Sequence, residues 1–262
     1  TINIDIQETM KGKIIFITGA TSGIGEGCAR KFAAMGSDLI LNGRNTEKLE
    51  KLRKELTATG VKVLTLPFDV RDRQAASRAI GSLEGKWREI DVLVNNAGLV
   101  IGMDKEHEGS LDEWDVVIDT NIKGLLAMTR LIVPGMVERG RGHIINIGSI
   151  AGDAAYAGGS VYCATKAAVK ALSDGLRIDL VDTPLRVTNI KPGMVETNFS
   201  VIRFRGDRQK ADAVYDGIQP LNGDDIADVV YYAASAPAHI QIAEVLVMPT
   251  YQATGTVCHR AK

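Results

Sequence analysis

Lys13-Ile14-Ile15-Phe16-Ile17-Thr18-Gly19-Ala20-Thr21-Ser22-Gly23-Ile24-Gly25 is an apolar run of strand length that ends in a glycine-rich turn, and helical spacing begins at Gly23. Glycine permits a tight turn and lets backbone N–H groups approach a pyrophosphate at the positive end of a helix. Gly19, Thr21, Ser22, Gly23, Ile24 and Gly25 are therefore candidate phosphate contacts. The spacing is GxxxGxG and not GxGxxG, because Cys28 stands where a last glycine would be. Alone, such a loop also fits a plain strand-to-helix turn.

Six further apolar runs follow: Asp38 to Asn42, Val61 to Pro67, Asp91 to Asn95, Gly142 to Gly148, Leu185 to Lys191 and Glu244 to Met248. They are rich in Val, Ile and Leu, as expected for strands covered on both faces. Segments of helical spacing separate them: Gly23 to Met35, Thr46 to Gly60, Asp72 to Leu83, Leu111 to Arg139, Val161 to Val181 and Asp224 to Ala236. This alternation predicts right-handed βαβ units in an α/β, doubly wound (Rossmann) fold, with about seven parallel strands and helices on both faces. No linker divides residues 1–262, so the expectation is a single domain. The stretch Thr197 to Leu221 breaks the rhythm and carries Arg203, Arg205 and Arg208 among aromatics. A long connection of this kind is expected to be a lid over substrate, or to form small helices of its own.

Composition narrows the function classes. The chain has 262 residues, 45% hydrophobic and 24% charged, with 31 Lys plus Arg against 32 Asp plus Glu. Neither sign gathers into a long block, which argues against a nucleic-acid partner. The opening segment lacks a basic-then-apolar leader, and no run reaches the ~18 apolar residues of a membrane span. Cys28, Cys163 and Cys258 and the four histidines are scattered, so reduced thiols, a cytoplasmic location and no metal are expected.

The second strand ends Asn42-Gly43-Arg44, with no carboxylate before Glu47. An acid there would bond a ribose 2′-hydroxyl, whereas an arginine fork pairs with a 2′-phosphate. Arg44 therefore points to NADP rather than NAD, with a solvated surface arginine as the alternative. Tyr162 and Lys166 are four residues apart in a helical segment and emerge on one face. A phenol titrates near ~10, and an ammonium beside it is expected to lower that value. Ser149 ends the fifth strand at the carboxyl edge of the sheet, where ligands of open α/β folds bind. Asn121 is a poor helix former inside a long helical segment, which suggests backbone or water contacts or a helix bend. Asn95-Asn96-Ala97-Gly98 suits close approach to a cofactor.

In this order and spacing, with Asp69-Val70 after the third strand and Pro192-Gly193-x-x-x-Thr197 after the sixth, the motifs resemble the short-chain dehydrogenase/reductase family over nearly the whole chain. The resemblance implies that Asp69 and Val70 flank an adenine and that Asn96, Ala97 and Gly98 line its ribose. It implies that Lys166 holds the nicotinamide ribose and that Pro192, Gly193, Val195 and Thr197 contact the nicotinamide. It further implies a proton relay of Asn121, Ser149, Tyr162 and Lys166, and a homotetramer built on the helices around Asn121 and Tyr162. Within the family, the segments Leu93–Leu99, Gly142–Ser149, Phe199–Asp207 and Pro237–His239 resemble the branch of NADP-dependent 3-hydroxy acid dehydrogenases.

The expected activity is hydride transfer between the nicotinamide and a small anionic 3-hydroxy acid, or its oxo acid or semialdehyde. Ser149 and Tyr162 would hold the reacting oxygen and Arg203 or Arg205 the carboxylate. A reductase for neutral ketones, 3-oxoacyl thioesters or sulfoaldehydes is an alternative on the same scaffold. A non-catalytic NADP-binding regulator is an alternative of another class.

Overall fold

In the computed structural model, which describes residues 10–261, seven parallel strands form one sheet in the order β3-β2-β1-β4-β5-β6-β7. They are β1 (Ile14–Ile17), β2 (Asp38–Gly43), β3 (Val63–Pro67), β4 (Val92–Asn95), β5 (His143–Ile147), β6 (Arg186–Pro192) and β7 (Glu244–Val247). The order runs outward from β1 in both directions, and the switch lies between β1 and β4. Each predicted strand is present, with ends moved by a residue or two. The leaderless opening read from the sequence falls, for residues 1–9, outside the described residues.

Alternate strand residues point to opposite faces and build two cores. Ile15, Ile17, Leu39, Leu41, Val94 and Ile145 pack with α1 (Gly23–Ala34), α2 (Thr46–Thr57) and the late helix α9 (Gly223–Ser235). Ile14, Phe16, Ile40, Leu93, Ile144 and Val187 pack on the other face with α3 (Arg73–Gly81), α5 (Leu125–Arg139) and α6 (Ser160–Asp179). A polar row crosses this sheet near its carboxyl edge: Asn95 pairs in register with Asn146, and Asn146 with Asn189. Asn95 Nδ2 donates to Asn146 Oδ1 at 2.9 Å, and Asn146 Nδ2 donates to Ser173 on α6 at 2.9 Å. These bonds fix α6 in register with the sheet.

The continuous helix expected over Leu111 to Arg139 is interrupted. Helix α4 (Leu111–Ile118) passes into a π-helical turn at Asp119–Gly124 before α5 begins. The cause is Asn121, whose amide is bonded outside the helix: its Oδ1 accepts from Leu99 N and its Nδ2 donates to Leu99 O, both at 2.9 Å. Such π turns are frequent at functional sites. The stretch after β6 forms two short helices, α7 (Phe199–Arg203) and α8 (Arg208–Ala213). Among the described residues no helix is long and apolar enough to cross a membrane.

Candidate active site

The carboxyl ends of the strands and the stretch after β6 enclose a cavity of about 670 Å³. Its floor is the β1–α1 turn. Gly19 and Gly23 have φ of 64° and 54°, the left-handed region that glycine adopts without strain. A Cβ on Gly23 would lie 2.9 Å from Thr197 Cγ2, and one on Gly19 3.0 Å from Ala97 Cα. Three separate motifs thus meet only because these positions lack side chains. Ser22 precedes α1 in an extended conformation and its hydroxyl caps nothing in the helix, so it leaves the first-turn N–H groups uncapped. Thr21, Ser22 and Ile24 line it as well.

Gly25 is a correction to the expected phosphate contacts, because it does not line the cavity. A Cβ there would clash with the Asn96 amide and the Gly19 carbonyl, leaving no room for a side chain. Close packing of turn on strand requires that glycine.

At one end of the cavity Arg44 stands beside Asp69 and Val70. The Asn42 amide at the tip of β2 is spent on the carbonyls of Leu66 and Phe68, and Arg44 remains 61% exposed. Asp69 is bound chiefly by Arg71, at 2.8 Å, and Arg44 only approaches it at 3.9 Å. The Arg44 fork therefore stays available at the rim. Asn96, Ala97 and Gly98 form one wall, and Pro192, Gly193, Val195 and Thr197 another. The glycine cradle, the open helix start and this cation together fit a phosphorylated dinucleotide.

Ser149, Tyr162 and Lys166 come together at the other end, all nearly buried. Lys166 donates to the Ile147 carbonyl at 2.8 Å and lies 5.8 Å from the centre of the Tyr162 ring. The expected lowering of the Tyr162 pKa is corrected. Burial dominates and pushes the phenol up, with the Ser149 hydroxyl and Arg203 opposing it. Burial also brings the Lys166 ammonium down to about 8. Desolvation penalises the charged form of both groups, so closing the site off from water dominates the titration of each.

Asn121, expected in the proton relay, does not line the cavity. Besides Leu99, its amide donates to the Thr165 hydroxyl at 3.0 Å, and Thr165 in turn bonds the Tyr162 carbonyl. A Cβ on Gly98 would lie 3.3 Å from Asn121 Oδ1 and 3.5 Å from Lys166 Nζ, so the amide sits close behind the site. It joins the loop after β4 to α6.

The two arginines expected to bind substrate part company. Arg203 lines the cavity with its guanidinium 5.6 Å from the Tyr162 ring centre, 5.8 Å from Tyr156 and 5.4 Å from Phe199. One terminal nitrogen donates to the Tyr156 hydroxyl at 2.9 Å, while its buried Nε has no partner among the described residues. Arg205 is corrected: its fork is held outside the cavity by Asp104 and Glu113. One turn of helix carries the first inward; the left-handed backbone at Arg205, φ 53°, turns the second away.

Tyr156, Gln252 and Arg260 also line the cavity and carried no motif in the sequence. Gln252 Oε1 accepts from Met194 N at 2.8 Å. Arg260 donates to the carbonyls of Val214 and Asp216, and Ala261 N to Gly217 O. The tail after β7 therefore packs on its own chain, against the segment that follows α8. A tyrosine in a glycine-rich loop six residues before Tyr162 was the only available signal for Tyr156.

The chain is 50% identical to the NADP-dependent 3-hydroxy acid dehydrogenase YdfG of Salmonella typhi, over 250 residues that cover 95% of this chain and 100% of that protein. It is 44% identical to sulfoacetaldehyde reductase 2 of Chromohalobacter salexigens, over 92% of this chain and 95% of the other. Its fold superposes on the closed form of a serine dehydrogenase complexed with NADP+ with a TM-score of 0.89 and 45% identity, over 95% of this chain and all of the other. The description short chain dehydrogenase belongs to the family model that matches residues 13–206, and with relatives this similar over nearly its full length the chain belongs to that family.

Proposed function

We propose that this chain is an NADP-dependent oxidoreductase that interconverts a short 3-hydroxy acid and the corresponding oxo acid or semialdehyde. The observation that carries the reading is Arg203: a cation with an unpaired buried Nε, 5.6 Å from the ring of Tyr162, in the cavity that also holds Ser149 and Lys166. An anionic group bound there would place a carbon a few bonds away beside the Tyr162 ring.

Arg44 would hold the 2′-phosphate and the first turn of α1 the pyrophosphate. Asp69 and Val70 would flank the adenine, and Pro192 to Thr197 the nicotinamide. NADP, when bound, supplies the hydride acceptor or donor. Ser149 orients the substrate oxygen by hydrogen bonding. Tyr162 exchanges the proton of that oxygen, taking it in oxidation and giving it in reduction. Burial holds the phenol protonated, the state needed to protonate a carbonyl. Arg203 and Lys166, 5.6 Å and 5.8 Å from the Tyr162 ring centre, are the two cations that face the phenolate that reduction leaves behind.

The same proposal has one domain with residues 197–221 as its lid, placed in the cytoplasm and assembled as a homotetramer. Leu111, Leu126, Ile178 and Val181 are exposed on α4 to α6 and beyond, as that assembly would need, and the three cysteines are free thiols. A second reading has a specific basis, since a guanidinium accepts a sulfonate as readily as a carboxylate and a sulfoacetaldehyde reductase is 44% identical. An NADPH-coupled assay over short 3-hydroxy acids, sulfoaldehydes and neutral ketones tests both. Preference for neutral ketones would refute the anionic reading.

A further inference from the structure

Lys191 lies outside the cavity, on β6 directly before the Pro192–Gly193 wall, and is 5% exposed. Its ammonium is 2.8 Å and 2.9 Å from the two carboxylate oxygens of Asp153 and 2.7 Å from Glu244 Oε1 on β7. Glu244 also accepts from the Asn189 amide at 3.3 Å. The two carboxylates outweigh the burial and hold the Lys191 pKa above the usual lysine range, so the ammonium is a firm tether. The partners show what is being held.

Asp153 closes the single turn that begins at Ser149. Gly152 N donates to Ser149 O and Asp153 N to Ile150 O, both at 3.0 Å, while the Ser149 hydroxyl accepts from Ala151 N at 3.1 Å. The turn is also pressed on α6, since a Cβ on Gly152 would lie 2.7 Å from the Lys166 carbonyl group. We propose that Lys191 is a positioning residue for Ser149: through Asp153 it clamps the serine turn to the sheet edge that forms the opposite wall. This rests on the reading of Ser149 as the group that orients the reacting oxygen. Glu244 secures the lysine from the far side without touching the turn.

The test uses Asp153→Asn, Glu244→Gln and Lys191→Met, with Asp153→Asn also made in a Ser149→Ala background. Asp153→Asn, which keeps the shape and leaves Lys191 paired with Glu244, is expected to lower kcat about tenfold or more with the KM for NADPH unchanged, as misplacement of an orienting group does. In the Ser149→Ala background it is expected to cost nothing further, because the group it positions is gone. Hydrogen exchange of residues 148–155 is expected to rise in Asp153→Asn and Lys191→Met and to stay unchanged in Glu244→Gln. The proposal is overturned by an Asp153→Asn loss that is equal in both backgrounds, by no loss at all, or by an equal loss in Glu244→Gln. Full activity of Ser149→Ala alone would instead sink the functional reading beneath it.

Discussion

Replacing Arg203 with alanine separates the two things its guanidinium does. The first is to meet the substrate anion with a fork whose Nε has no partner among the described residues. A hydrogen bond to a charged group contributes about 1.5–3 kcal/mol, so kcat/KM for a short 3-hydroxy acid should fall roughly 10- to 150-fold. Most of the loss should appear in KM, because the carboxylate is bound alike in ground and transition states. The second is to face the Tyr162 ring and favour its phenolate. Losing that influence raises the pKa of Tyr162 further and affects every substrate equally. The ratio of kcat/KM for the acid to that for a neutral alcohol of the same length therefore isolates the anion contact. Arg203→Lys, which keeps charge and loses the fork, should fall between. Steady-state kinetics at constant ionic strength reads both numbers. Equal losses for acid and alcohol would refute the assignment, leaving Arg203 as packing for the tyrosine.

Arg44→Asp should reverse the preference for NADP over NAD, read as the ratio of the two kcat/KM values, because a carboxylate repels the 2′-phosphate and bonds a ribose hydroxyl. Lys166→Met should abolish activity yet stabilise the protein free of cofactor. Burial depresses the folded pKa of Lys166 from 10.5 to about 8, so the folded state binds the proton less well than the unfolded one and stability from this group rises with pH between those values. The ammonium costs roughly 3 kcal/mol at pH 7, offset by about 1 kcal/mol for its bond to the Ile147 carbonyl. Thermal melts should show the variant more stable at pH 7 and the gap closing towards pH 10; a gap constant with pH would contradict this. Arg205→Gly should melt higher than Arg205→Ala by the equivalent of about 1 kcal/mol, since only glycine adopts φ 53° without strain.

The structure bore out the alternation of strand and helix, because each element carries its own periodicity and its own terminator. Ser149, Tyr162 and Lys166 were legible for the same reason: a helix sets the spacing of two of them, and the end of a strand sets the third. What was not legible depends on partners distant in the chain. An amide inside the helical segment pointed at Asn121 to a backbone contact or a bend, but its partner, Leu99, and the π turn could not be read from the sequence. Tyr156, Gln252 and Arg260 reach the cavity from loops without motifs.

The sequence by itself determined the β1–α1 glycine turn, the parallel alternation of strand and helix and the set of chemical groups at the carboxyl edge, since turn chemistry and period are local properties. Tertiary structure alone decided which of Arg203 and Arg205 faces the site, because the choice lay in one left-handed residue and in Asp104 and Glu113, some hundred positions away in sequence. It also decided the sign of the Tyr162 shift. Spacing puts a lysine beside a tyrosine, but only burial tells whether attraction or desolvation prevails.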